Sequence, residues 1–199
     1  MDGHTASRKD LILKQATQLF AEKGFDKTTV KHIAAACDIT EPALYRHFAS
    51  KDDIFKTVLQ RLAARIDCDE LFQRLQSETC LKTILSDLAR HILSFFTANQ
   101  DLYRLLLYSS LSGHKEAEKV YRVIRGNFAS FLKDQLNRLA AQKLVNPRRS
   151  EITARCFIGM VFDCSLSDTL WKGYQKQMFK PEAVVANNIP IYVKGLSVE

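Results

Sequence analysis

The chain has 199 residues, 46% of them apolar and 26% charged, with a formal net charge of +7. It holds no uncharged apolar run of about 18 residues that would cross a membrane, and "MDGHTASRKD" has no apolar leader, so a cytoplasmic protein is expected. The five cysteines (Cys37, Cys68, Cys80, Cys156, Cys164) are odd in number and never spaced Cys-x-x-Cys. That argues against a disulfide framework and a structural zinc, and each is expected as a small buried hydrophobe.

The periodicity along the chain is helical throughout, so the expected fold is all-α with about nine helices. Ile12, Ala16, Leu19 and Phe20 follow i, i+4, i+7, i+8, and "EKGF" stops that helix at Gly24. Val30, Ile33, Ala34 and Cys37 repeat the pattern in a shorter helix entered through Thr28 or Thr29. A third short helix starts at Thr40, a good N-cap with Ile39 before it and Leu44 at N4, the arrangement of a hydrophobic staple. Ser50 caps a fourth, with acids in its first turn and Ile54, Val58, Leu62 and Ile66 along one side.

Further on, Leu81, Leu85, Leu88, Ile92 and Phe95 mark one helix and "DLYRLLLYSSL" a short apolar one. A long segment from about Lys115 to Leu144 carries Val120, Ile124, Phe128 and Phe131 on one side. Asn146 and Pro147 read as an N-cap with proline at the first helical position. The helix they open runs through "RCFIGMVFDCSLSDTLW". Pro181 opens the last helix in the same way, and Pro190 is expected to kink or break it.

The short turn "CDI" joins the second and third helices into a helix-turn-helix over about residues 29–48. With Leu44 and Phe48 facing inward, Glu41, Pro42, Ala43, Tyr45, Arg46 and His47 are left on the outer side. In such a motif the second helix enters the DNA major groove. The hydroxyls of Thr40 and Tyr45 suit phosphate oxygens, and Lys31 and Lys51 are placed to reach the backbone. Pro42 and Ala43 offer apolar contact to a thymine methyl, Glu41 could accept from cytosine N4, and His47 could reach a base edge or phosphate. Helix-turn-helix geometry also serves packing modules. The alternative is therefore an all-α small-molecule-binding protein or enzyme in which the motif only packs. An enzyme would need a catalytic constellation, and the sequence holds no His-Glu-x-x-His, no Gly-rich phosphate loop and no nucleophile with a neighbouring base. No catalytic residue, metal site or cofactor is expected.

The segments "ILKQATQLFAEKGFDKTTVKHIAAACDIT" and "ALYRHFASKDDIF" resemble the DNA-binding domain of the TetR-type transcriptional regulators. The resemblance implies a DNA-binding domain over residues 6–66, with contacts from Lys31, Thr40, Glu41, Pro42, Ala43, Tyr45, His47 and Lys51. Many members have glycine where this chain has Asp38, and glycine and threonine where it has Pro42 and Ala43. Aspartate tolerates the left-handed turn conformation. The resemblance further implies a ligand-binding and dimerisation domain over residues 67–199. Its last two long helices would form a four-helix interface with a second copy, and the partner would be a near-palindromic double-stranded operator.

A small-molecule effector would sit among the aromatic and apolar groups of that second part. The candidate lining is His91, Phe95, Tyr103, Leu107, Tyr108, Phe128, Phe131, Met160, Cys164 and Trp171. His91 also reads as a hydrogen-bonded core histidine. In the helix opened at Pro147, Ile152, Cys156, Gly159, Asp163 and Leu166 share one side, while Phe157, Met160, Val161, Cys164, Asp168 and Trp171 share another. One side should meet the core and the other a partner.

Overall fold

The structure, a computed structural model, describes residues 7–66, 68–170 and 180–198. Among these residues there is no strand, and ten helices follow one another: α1 (Arg8–Lys27), α2 (Val30–Ala36), α3 (Glu41–Tyr45), α4 (Lys51–Arg65), α5 (Asp69–Leu75), α6 (Leu81–Ala98), α7 (Gln100–Leu111), α8 (Lys115–Ala141), α9 (Ser150–Leu170) and α10 (Pro181–Gly195). The expected all-α class is what the chain adopts. Two compact units divide it, one of residues 1–65 and 101–121, the other of 66–100 and 122–199.

In the first unit, α1 is capped by Ser7, whose hydroxyl accepts from the Asp10 amide while Asp10 accepts back from Ser7. Asp10 also meets Arg61 of α4 at 2.5 Å. The Ser7 hydrogen bond, and then Arg61, hold the Asp10 carboxyl below its ordinary value. Helical geometry breaks at Gly24, where φ is 80°, in the left-handed region that glycine enters without steric cost. Below that turn the rings of Phe20, Phe25 and Phe55 pack with centroids 4.8–5.8 Å apart. Buried Thr28 donates its hydroxyl to the Gly24 carbonyl at 2.8 Å, so the turn carries its own internal tie.

The second unit is built on α6, whose Ile84, Leu85, Leu88, Ile92 and Phe96 are buried; α9 and α10 pack against it. An aromatic chain crosses this core. Phe72 stacks on Phe131 at 4.3 Å and meets Phe128 edge-on at 5.6 Å, and Phe162 lies 5.2 Å from Phe96 and 6.4 Å from Phe128.

Four sequence expectations need correction. Helix α5 was not among the expected elements, although Asp69 and Glu70 in its first turn and buried Leu71 and Leu75 are ordinary helix signals. Helix α9 begins at Ser150, not Pro147. The Asn146 amide instead donates to the Leu196 carbonyl at 2.9 Å, which ties this loop to the end of α10. Helix α10 starts at Pro181 as expected but continues through Pro190 to Gly195. Pro190 and Ala186 are both exposed, so water can take the carbonyl that the missing N–H leaves free. Finally, only Cys37 and Cys68 are buried; Cys80 and Cys156 are exposed and Cys164 is half-buried.

Candidate nucleic-acid interface

Three side-chain caps fix the entry of α2, α3 and α4. Thr29 and His32 form a reciprocal box at the start of α2: the His32 amide donates to Thr29 Oγ1, and the Thr29 amide donates to His32 Nδ1. Thr40 Oγ1 accepts from the Ala43 amide at the start of α3, which uses a lone pair and leaves the hydroxyl proton free to point outward. Ser50 Oγ accepts from the Asp53 amide while the Asp53 carboxylate accepts from the Ala49 amide. The role of His32 was missed from sequence. Histidine is an uncommon third-position partner in such a box, where glutamate or glutamine is usual.

The turn between α2 and α3 is a Schellman motif. The Ile39 amide donates to the Ala34 carbonyl and the Asp38 amide to the Ala35 carbonyl, with Asp38 at φ 53°. Aspartate thus occupies the left-handed position. Two carbonyls at the end of α2 are satisfied within five residues, so the chain reverses without help from a distant group.

Beneath α3, Leu44 and Phe48 are buried with Ile33, Ala34 and Cys37. Above it, Thr40, Glu41, Pro42, Tyr45, Arg46 and His47 are exposed and Ala43 is half-buried. Tyr45 is 49% exposed, a large ring left in solvent on a helix of only five residues. Lys31 is exposed on α2. Lys51 differs from the other candidates. It is half-buried, its ammonium donates to the Phe25 carbonyl at 2.9 Å, and it lies 4.0 Å from the centroid of the Phe25 ring. An ammonium has three donors, so this tie leaves two.

The other candidates are more dispersed. His91 (half-buried) lies 6.1 Å from buried Phe128 and 4.0 Å from Cys68 Sγ, and Phe131 stacks on Phe72. Phe95 borders a groove of about 580 Å³ along α5 and α6 that also includes His91. Met160 and Cys164 are half-buried on α9. Tyr103 is fully buried, Leu107 half-buried and Tyr108 62% exposed, and all three belong to the first unit. Trp171 lies outside the described residues. On α9, Phe157 and Val161 are buried, whereas Ile152, Cys156 and Asp163 are exposed. The Phe157 side therefore meets the core.

Residues 12–58 match the family model described as bacterial regulatory proteins, tetR family. The match spans α1 to the middle of α4 and includes every candidate DNA contact. Over these residues the chain is similar to the tetR family of regulators. Similar proteins include the uncharacterized HTH-type transcriptional regulator YuxN of Bacillus subtilis, 27% identical over 96% of this chain. The chain spans 64% of that relative's length. The HTH-type transcriptional repressor Rv1474c of Mycobacterium tuberculosis is 26% identical over 81% of this chain and 82% of its own. Among solved structures, AibR in complex with isovaleryl coenzyme A and operator DNA superposes with a TM-score of 0.70 at 19% identity, covering 93% of this chain and 97% of that one.

Among the described residues no helix is long and apolar enough to cross a membrane, and no group of three or more His, Cys, Asp or Glu side chains could hold a metal ion.

Proposed function

We propose that this protein is a tetR-family regulator, a cytoplasmic repressor that binds a near-palindromic operator as a homodimer and is released by a small-molecule effector. The observation that carries the reading is α3 itself. Its underside is buried through Leu44 and Phe48, and its exposed side gathers Tyr45, Arg46 and His47 beside Thr40 and Lys31. A soluble protein gains no stability from an exposed tyrosine and two basic groups on so short a helix. A polyanion gives each of them a partner.

In this reading Thr40, Tyr45, Lys31 and Lys51 hold phosphates, while Glu41, Pro42, Ala43 and His47 face the bases. Lys51 gives one N–H to Phe25 and so brings a fixed, not a swinging, charge to the backbone. Arg46, exposed at the end of α3, joins the phosphate set. One five-residue helix reads few base pairs, so specificity needs two half-sites and a two-fold dimer. The exposed side of α9, with Ile152 at 52% and the neighbouring Cys156 and Asp163, supplies the surface for a second copy together with α10, where Ile191 is 63% exposed. The name of the Rv1474c relative supports repression, and AibR, a protein of this fold in complex with isovaleryl coenzyme A and operator DNA, supports a small-molecule effector. Effector binding of this kind changes operator affinity by about 5- to 150-fold.

Footprinting of the DNA upstream of the protein's own gene, with excess nonspecific competitor, tests the reading. A protected stretch with two-fold symmetry that Tyr45→Ala abolishes is expected. Lys31→Ala should weaken binding on all sequences alike and flatten the salt slope by about one. Failure of genome-wide selection to recover any symmetric site would refute it.

A further inference from the structure

One residue holds Lys51 in two ways. The Lys51 ammonium donates to the Phe25 carbonyl at 2.9 Å and lies 4.0 Å from the centroid of the Phe25 ring. Phe25 is half-buried and follows Gly24, whose φ of 80° sets the turn. The Phe25 ring in turn meets the His114 ring edge-on at 4.9 Å, and His114 lies 4.4 Å from the buried ring of Phe55. Tyr108 closes the same corner, where a methyl group on Gly24 would stand 3.5 Å from its ring. Tyr108 ends α7 and His114 lies in the turn that follows, and both belong to the first unit with Phe25 and Lys51. Core packing does not call for the ammonium. Phe25 would meet Phe20 and Phe55 without it, and a lysine so tied gives up rotamer freedom that a solvated one keeps.

We propose that Phe25 and His114 are positioning residues for DNA binding, which touch no DNA themselves and together set where the Lys51 ammonium meets a phosphate. This rests on the reading of Lys51 as a phosphate contact. The Phe25 carbonyl fixes one N–H, and the ring adds a second attraction for the cation. The His114 and Phe55 rings keep Phe25 from turning away. Lys51 is thereby held in one place with two N–H groups left for phosphate oxygens. The freedom it would otherwise lose on binding is already spent, so the contact forms at a smaller cost than one from a free lysine. The turn between α7 and α8 thus acts on DNA affinity from outside the helix-turn-helix.

A double-mutant cycle tests this, read as the anisotropy of a labelled duplex of arbitrary sequence titrated with the full chain over a range of salt. The parent should bind with an affinity that falls as salt rises, and Lys51→Ala should flatten that slope by about one. Phe25→Leu should weaken binding by about fivefold in the parent and leave the Lys51→Ala protein unchanged. Phe25→Tyr, which keeps the ring, should bind like the parent. His114→Ala should act in the same direction as Phe25→Leu and also lose its effect once Lys51 is gone, so the cycle can be closed with either residue if one variant does not fold. A merely structural role for the rings would weaken both backgrounds equally. That result, or no loss in the parent background, would overturn the proposal alone. A parent with no salt-dependent binding would refute the DNA-binding reading itself, and this proposal with it.

Discussion

Helices α2 and α3 and helices α8 and α9 are held by different means. The first pair totals twelve residues and is fixed at its ends, by the Thr29–His32 box, the Asp38 turn and the Thr40 cap. The second pair totals forty-eight residues and is fixed along its length, by Phe128, Phe131, Phe157 and Phe162 packed on neighbouring helices. Short helices leave most of their backbone groups unpaired at the termini, so side-chain caps decide where they start and stop. Long helices draw their stability from an apolar face, and their ends can drift by several residues at small cost. A surface that must meet another molecule in one register belongs on the first kind.

Substitutions can separate the two modes. The largest effect is expected from Phe128→Ala, which removes a 1%-exposed ring from the aromatic chain and should cost about 3–5 kcal/mol. Calorimetry of the purified protein would show this as a fall in Tm of roughly 10 °C. A loss under 1 kcal/mol would mean that the chain of rings is not the second unit's core. Thr40→Ala should cost about 1 kcal/mol and, in the reading above, should weaken operator binding by more than stability alone explains, because it also removes a phosphate donor. Thr40→Ser keeps both functions and is the control. Asp38→Gly tests the turn in the opposite direction. Releasing a non-glycine residue from φ 53° should raise stability by up to about 1 kcal/mol in urea unfolding. A loss would show that the aspartate side chain holds the turn.

The smallest effect concerns the cap of α1. The Asp10 carboxyl is held below its ordinary value of 3.8, so its contribution to folding is present above that pH and is lost as pH falls through the lower folded value. Stability curves of the parent and Asp10→Asn should therefore differ at neutral pH and converge below pH 3.8. Added salt should narrow the gap, because the Asp10–Arg61 pair is exposed. A gap that persists at acid pH would assign the effect to packing.

The same contrast explains what could be read from the sequence. Thr40 and Ser50 announce helix starts because the physics of a cap is local; Thr28 and Thr29 are equal candidates in the sequence, and the turn at Asp38 is legible only through the family resemblance. The inward set Ile33, Cys37, Leu44 and Phe48 and the outward set around Tyr45 follow once those ends are known. Helix α9 was read too early because Asn146–Pro147 has the local chemistry of a helix start, while a tertiary hydrogen bond from Asn146 to Leu196 decides otherwise. Pro190 misled for a related reason. Its penalty depends on whether the freed carbonyl meets solvent, which only the packing of α10 determines. Aromatic residues at helical spacing had two readings, core or pocket lining. Phe128 is buried with rings around it, whereas Tyr108 is open to solvent, a difference the spacing does not encode.

The bond from the Asn146 amide to the Leu196 carbonyl links positions fifty residues apart at a single atom pair. Leu196 is itself buried, and it follows the last residue of α10. The exchange of one amide proton with deuterium therefore reports whether the end of α10 is seated. If the last turn lifts away from the protein, Asn146 loses its protection even though it lies far back in the chain. Its exchange rate, set against that of amides within α6, would measure the free energy of that local opening apart from unfolding of the whole.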